Sequence, residues 1–205
     1  MMDDPTQATY DMSAAELADF FAGFGPRMDE VKRACDAVQT GSSSLDILEL
    51  GCGDGRDAAD ILTRAGSYLG IDYSKELIAL ARRKHPDHAE LFQVADMKEF
   101  AVVPGRYDVI FAFASFLHLS REELTDVLER YCRGLRPGGV LCMSFKQSPV
   151  YEKRVQSDQF GERVFYFYNP DEVVAMLPQS TEEIDRSTYQ KGSTMWFTLY
   201  ARTAR

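Results

Sequence analysis

Five apolar runs of strand length, Leu45–Leu50, Tyr68–Ile71, Leu91–Val94, Tyr107–Phe113 and Val140–Phe145, alternate with stretches of helical periodicity. This alternation narrows the fold more than any other feature. Strands that follow one another through helices run parallel and are joined by right-handed crossovers, which places helices on both faces of the sheet. A doubly wound α/β sheet is expected.

The helix leading into the fifth run is the most clearly written. Ser120 followed by Glu123 makes a capping box, and Leu124, Val127, Leu128, Tyr131 and Leu135 form one apolar stripe. Arg133 and Arg136 suit the negative end of its dipole, and Pro137-Gly138-Gly139 is expected to stop it. A second helix should run from Ser74 to about Lys84, ending in the basic cluster Arg82-Arg83-Lys84. Two more are expected before the first strand, over 13–24 and 27–38, split by Gly25-Pro26. Residues 149–169 show no helical period and read as a long functional or irregular connection. A helix capped by Asn169 follows, then two strand-like runs, Glu183–Tyr189 and Thr194–Ala201. The intervening Gln190-Lys191-Gly192-Ser193 has hairpin composition, which sends the last strand antiparallel.

Charge bounds the partners. A net charge of -9 argues against phosphate backbones and anionic lipid, so no nucleic acid and no membrane partner is expected, and a small molecule is. No apolar run approaches the roughly 20 residues that span a bilayer, and the first residues lack a signal peptide's apolar stretch, so a cytoplasmic location is expected. Cys35, Cys52, Cys132 and Cys142 contain no C-x-x-C pair and read as buried thiols, with no metal site. His85 and His88 flank Pro86-Asp87 without a further ligand nearby and read as an exposed turn.

The turn after the first strand, Glu49-Leu50-Gly51-Cys52-Gly53-Asp54-Gly55, bares its backbone for a close ligand. The next strand ends Gly70-Ile71-Asp72, which puts a carboxylate at the neighbouring carboxyl edge, where it can accept both hydroxyls of a ribose. The spacing is G-x-G-x-G rather than the G-x-G-x-x-G of dinucleotide binders, and Arg56 fills the position of the third glycine in that longer pattern. Glu49 would repel a diphosphate but can hold an ammonium group.

These segments resemble the class I S-adenosylmethionine-dependent methyltransferases, as do Ala95-Asp96-Met97, Tyr107-Asp108-Val109-Ile110-Phe111 and Leu135-Arg136-Pro137-Gly138-Gly139-Val140-Leu141. The resemblance implies a single domain over 1–205 with a Rossmann-like doubly wound sheet of about seven strands, mostly parallel with an antiparallel last strand. It implies S-adenosyl-L-methionine as cofactor, with S-adenosyl-L-homocysteine as product, held by Glu49, Gly51, Cys52, Gly53, Gly55, Asp72, Tyr73, Asp96, Met97 and Ala112. Residues 1–40 would cover the cofactor site and 149–169 form a substrate-side insertion, in a monomer or homodimer. Pro178-Gln179-Ser180 stands where many relatives have Gly-Phe, which leaves the start of the sixth strand open.

Methyl transfer from a sulfonium needs positioning more than a dedicated acid or base. Where the acceptor carries a proton, His118 is the candidate base, against the alternatives that it packs under the cofactor or caps the Ser120 helix. Lys146, Tyr166 and Tyr168 are candidate substrate contacts, the tyrosines sharing one face of an extended segment. Tyr10, placed before the first helix, is expected to close over the cofactor, Asp57 to complement a helix dipole, and Trp196 to lie in the core. Two alternative functions stay open: a non-catalytic S-adenosylmethionine-binding regulator and a nucleotide-dependent oxidoreductase.

Overall fold

A computed structural model of the protein describes residues 5–205. Three helices open it: α1 (Pro5–Met12), α2 (Ala14–Ala22) and α3 (Met28–Asp36). The alternating part follows as β1 (Leu45–Leu50), α4 (Ala58–Leu62), β2 (Ala65–Asp72), α5 (Lys75–Lys84), β3 (Phe92–Val94), β4 (Tyr107–Phe113), α6 (Arg121–Gly134) and β5 (Leu135–Lys146). Then come β6 (Glu152–Asp158), β7 (Gly161–Phe167), α7 (Pro170–Ala175), β8 (Thr181–Lys191) and β9 (Thr194–Thr203). Seven strands form one sheet in the order β3-β2-β1-β4-β5-β9-β8, in which β9 runs antiparallel to both β5 and β8 and the other pairs are parallel. The doubly wound expectation holds.

Each face of the sheet has its own core. Leu48, Ile110, Leu141 and Leu199 pack with α6, while Ile47, Val109, Val140 and Tyr200 pack with α3 and α4, so alternate residues along each strand serve opposite layers. The capping box at α6 is complete: the Ser120 hydroxyl accepts from Glu123 N at 3.3 Å, and the Glu123 carboxylate accepts from Ser120 N at 2.8 Å. Ser74 and Asn169 cap α5 and α7 by one bond each, accepting from Leu77 N and Asp171 N.

Four expectations are corrected. The N-terminal region has three helices rather than two, and Tyr10 lies inside α1 instead of before a helix. Arg136 belongs to β5, where it pairs with Asp46 at 2.6 Å and Asp108 at 2.5 Å at the amino edge of the sheet; it does not complement the α6 dipole, since α6 already ends at Gly134. Residues 149–169, which lack a helical period, are mostly an antiparallel hairpin, β6–β7, rather than an irregular connection. The strand whose start was left open begins at Thr181, two residues before the expected one.

Candidate functional site

The carboxyl edge of the sheet opens into a cavity of about 600 Å³. Its floor is the glycine turn, whose first two amides, Gly51 N and Cys52 N, both donate to the Ile71 carbonyl, at 2.8 and 3.0 Å. The turn's glycines answer to different demands. At Gly51, with φ +71, a Cβ would stand 2.5 Å from Ser115 Cβ, so the chain itself requires the bare backbone there. Gly53, with φ +56, would meet nothing within 4 Å and lines the cavity, so its missing side chain leaves room for a ligand. Gly55 does not line the cavity; a Cβ there would lie 2.9 Å from His85 Cδ2, and its carbonyl contacts His85 Nε2 at 2.8 Å. His85 is therefore half-buried under the turn and stacked on Phe92, not exposed as expected.

Carboxylates line one half of the cavity. Asp72, at the end of β2, is buried, and its two oxygens accept from Gly53 N and Ser74 N, each at 2.9 Å. Burial outweighs those bonds and pushes its carboxyl up to about 6. Glu49, at the end of β1, accepts from the Tyr68 hydroxyl at 2.6 Å, and burial, reinforced by Asp57, holds it well above the usual carboxylate range. Asp96 follows β3 and accepts from Lys98 N at 2.8 Å, beside Met97, whose carbonyl receives the Tyr131 hydroxyl at 2.8 Å. Cys52 and Tyr73 also line the cavity. Asp57 lines it too, but its carboxylate accepts from Arg27 N at 2.8 Å and pairs with Arg56, ties that go beyond a dipole contact. Ala112 is fully buried in the α6-side core rather than in the cavity; alternation along β4 turns Phe113 inward instead, and Ala114, at φ +53, and Ser115 continue that wall.

His118 lies on the wall beyond β4. Its Nδ1 sits 2.7 Å from the Val164 carbonyl, which can only accept, so Nδ1 carries the proton. Nε2 is then an acceptor and receives the Tyr10 hydroxyl at 3.1 Å. Tyr10 thus closes over the cavity from α1, and burial raises its phenol. α1 is tied to the hairpin through Thr9 Oγ1 to the Glu162 carbonyl, and the cap of α2 through Ser13 Oγ to the Phe160 carbonyl, both at 2.7 Å.

Lys146 ends β5 inside the cavity, with Nζ 3.3 Å from the Phe165 ring centre and 2.9 Å from Gln156 Oε1. Burial first, then Arg163 and Arg154, brings its ammonium down to about 8. The expected tyrosine contacts are not in the cavity. Tyr168 is fully buried and donates to the Leu119 carbonyl at 2.8 Å, while Tyr166 stacks on Tyr151. Their face of β7 points away, and a shift of one residue puts Arg163 and Phe165 on the inner face. The alternation Arg163, Phe165, Phe167 was the signal for this. Trp196 is another departure: it lines the cavity, stacked on Tyr189, rather than lying in the core. Phe20, Phe21 and Phe24 of the α2 region also face the cavity, a role that sequence reasoning did not assign.

A family model described as a methyltransferase domain matches residues 47–139. A dTDP-3-amino-3,6-dideoxy-alpha-D-glucopyranose N,N-dimethyltransferase of Streptomyces fradiae is 29% identical over 66% of this chain and 54% of its own length. An arsenite methyltransferase of Aquipseudomonas alcaligenes is 32% identical over 57% of this chain and 36% of its own. The chain therefore spans about half or less of these relatives. Among solved structures, the Burkholderia thailandensis 1,6-didemethyltoxoflavin-N1-methyltransferase, with 1,6-didemethyltoxoflavin and S-adenosylhomocysteine bound, superposes with a TM-score of 0.71 at 17% identity, over 97% of this chain and 87% of that one. The [4+2]-cyclase SpnF gives a TM-score of 0.73 at 16% identity, over 98% of both chains. At such identities these two likenesses establish the fold and not the reaction.

Proposed function

The chain belongs to the class I S-adenosylmethionine-dependent methyltransferases, and from that premise we propose that it transfers a methyl group to a small-molecule acceptor by in-line displacement. The observation that carries this reading is the cavity at the carboxyl edge, where Gly53 leaves open space beside the buried carboxylates of Glu49 and Asp72. When bound, S-adenosylmethionine supplies a methyl group on a cationic sulfur that departs as a neutral thioether.

The residues present fit such a ligand. Each Asp72 oxygen holds one backbone N–H and keeps a further lone pair for a ribose hydroxyl. Glu49 suits an ammonium group and Asp96 with Met97 an adenine edge, while Gly51, Cys52 and Gly53 supply the backbone approach beside Tyr73. A cationic ligand favours the ionised forms of Asp72 and Glu49, so its binding releases protons.

Holding the acceptor in line at the methyl carbon and excluding water accounts for most of the acceleration, on the order of 7–11 kcal/mol. The α1–α3 segment and the β6–β7 hairpin provide that enclosure, with residues 5–40 over the cofactor and 149–169 walling the acceptor side of a single domain. His118 serves as base for acceptors that must lose a proton; Tyr10 has to yield Nε2 for it to do so.

Incubation with methyl-labelled S-adenosylmethionine and a fractionated small-molecule cell extract tests this reading. A labelled product is expected from at least one fraction. Tight S-adenosylhomocysteine binding with no labelled product from any fraction would make the chain a binding protein instead.

A further inference from the structure

The charged groups around the cavity divide by strand. Glu49, Asp72 and Asp96 stand on β1, on β2 and just after β3, in one half of the sheet order. Lys146 and Arg163 stand on β5 and β7, around the other half, while Lys191 at the end of β8 lies over the Phe24 ring near Arg27 and Arg56. On the first side Arg56 is already paired with Asp57 at 2.8 Å, and Arg27 lies 3.9 Å from Glu30. On the cationic side counterions are scarce. Lys146 forms no ion pair among the described residues; Arg163 has one, with Asp158, and its buried Nε has no hydrogen-bond partner.

Burial depresses the Lys146 ammonium to about 8. An ammonium held in that condition gains more from an anionic ligand than a solvated surface lysine does. The surroundings of Lys146 are aromatic: Nζ lies 3.3 Å from the ring centre of Phe165, 5.5 Å from Phe167 and 5.9 Å from Trp196, and the Arg163 guanidinium carbon lies 5.5 Å from the same Phe165 ring. Cations therefore flank apolar planes on the acceptor side, opposite the carboxylates that suit a cationic cofactor.

We propose that the methyl acceptor is an organic anion, its charged group held between Lys146 and Arg163 and a flat apolar body lying against Phe165 and Trp196. The assignment rests on the methyltransferase reading above and adds to it the chemical class of the acceptor. Anionic charge is the shared requirement, whether carried by a carboxylate or a phosphate.

The test splits a small-molecule cell extract by anion exchange and offers each pool to the protein with methyl-labelled S-adenosylmethionine. Label is expected from the retained, anionic pool, and phosphatase treatment of that pool distinguishes a phosphate from a carboxylate. Lys146→Met should raise KM for that acceptor at least tenfold and leave S-adenosylhomocysteine affinity within about twofold, with Lys146→Arg restoring most of the loss. Trp196, the chain's one tryptophan, reports the isolated product directly through its fluorescence. Label confined to the unretained pool, or a Lys146→Met variant with unchanged KM, overturns the anionic assignment while leaving the methyltransferase reading standing. Label from neither pool, with S-adenosylhomocysteine still bound, overturns both.

Discussion

Replacing Asp72 with asparagine removes its charge at the cost of one of its two structural acceptors, where alanine would remove both. In the wild type both oxygens accept backbone N–H groups at 2.9 Å, from Gly53 and Ser74. Alanine would leave both donors unpaired in a buried site, at about 1–3 kcal/mol each, and would mix a folding defect with a binding defect. Asparagine keeps the shape and one acceptor oxygen. Two charge-assisted bonds to the ligand, about 1.5–3 kcal/mol each, become neutral ones of about 0.5–1.5 kcal/mol, so the loss is roughly 2 kcal/mol, or about thirtyfold in affinity. Calorimetry with S-adenosylhomocysteine reads this out, and a thermal melt confirms folding. The pH profile provides a second check. The folded carboxyl titrates near 6, above its ordinary value of 3.8, so the wild type should bind more weakly as pH falls through about 6, and Asp72→Asn should lose that step. Linkage gives the stability sign: the folded state binds more protons between the two values, so this group's contribution to wild-type stability falls as pH rises from about 4 to about 6. Unchanged affinity in the variant, or reduced affinity with the wild-type pH step intact, would refute the role assigned to Asp72.

Gly51→Ala and Gly53→Ala should separate fold from ligand. The first sets a Cβ 2.5 Å from Ser115 Cβ at φ +71 and should destabilise the protein by about 2 kcal/mol or more in denaturant titrations, whereas the second, at φ +56 with nothing within 4 Å, should cost only the backbone strain of about 1–2 kcal/mol and in addition weaken S-adenosylhomocysteine binding. His118→Ala should lower turnover of a proton-bearing acceptor by about 10²–10⁴-fold with cofactor affinity within about threefold; normal turnover would remove the base. Ser120→Ala breaks the α6 capping box and should cost about 0.5–2 kcal/mol of stability, measured by chemical denaturation, without touching cofactor affinity.

Legibility in the sequence followed the strength of local patterning. β1 and β4 were bounded correctly from apolar runs buried on both faces, and the start of α6 from its capping box, because each signal is short-range; its end at Gly134, with Leu135 already in β5, came before the expected stop at Pro137. The β6–β7 hairpin was missed because charged residues interrupt the apolar alternation on both faces, Glu152 and Arg154 beside Phe167 and Phe165 on the inner one and Lys153 and Glu162 on the outer. The same interruption reversed the facing of Phe165-Tyr166-Phe167-Tyr168. Burial of Tyr168 is decided by the Leu119 carbonyl, 49 residues away, which no local pattern encodes. The convergence of Glu49, Asp72 and Asp96 on one cavity was legible because strand ends in a parallel sheet meet at one edge. Gly55 and Ala112 were carried along with their motifs, but His85 claims the space at the first and the α6 core the second. Arg163 and the cavity-facing Trp196 come from the acceptor side, where position depends on tertiary packing of the hairpin against β5 and β9.

The cover over the cavity is fastened by polar contacts on two sides. α1 and the residue after it meet the hairpin through three bonds between a side chain and a backbone group: Thr9 to the Glu162 carbonyl, Ser13 to the Phe160 carbonyl, and Val164 N to Thr6 Oγ1 at 3.0 Å. On its other side Ser74 Oγ donates to Asp11 Oδ1 at 2.7 Å, which ties α1 to the cap of α5. Each such bond contributes a net of about 0.5–1.5 kcal/mol, beside the burial of Thr6 and Thr9. The Tyr10 bond to His118 joins the same cover to the catalytic wall, so opening frees Nε2 at the moment an acceptor can arrive. Access to the cavity and exposure of the candidate base are therefore coupled through one short helix.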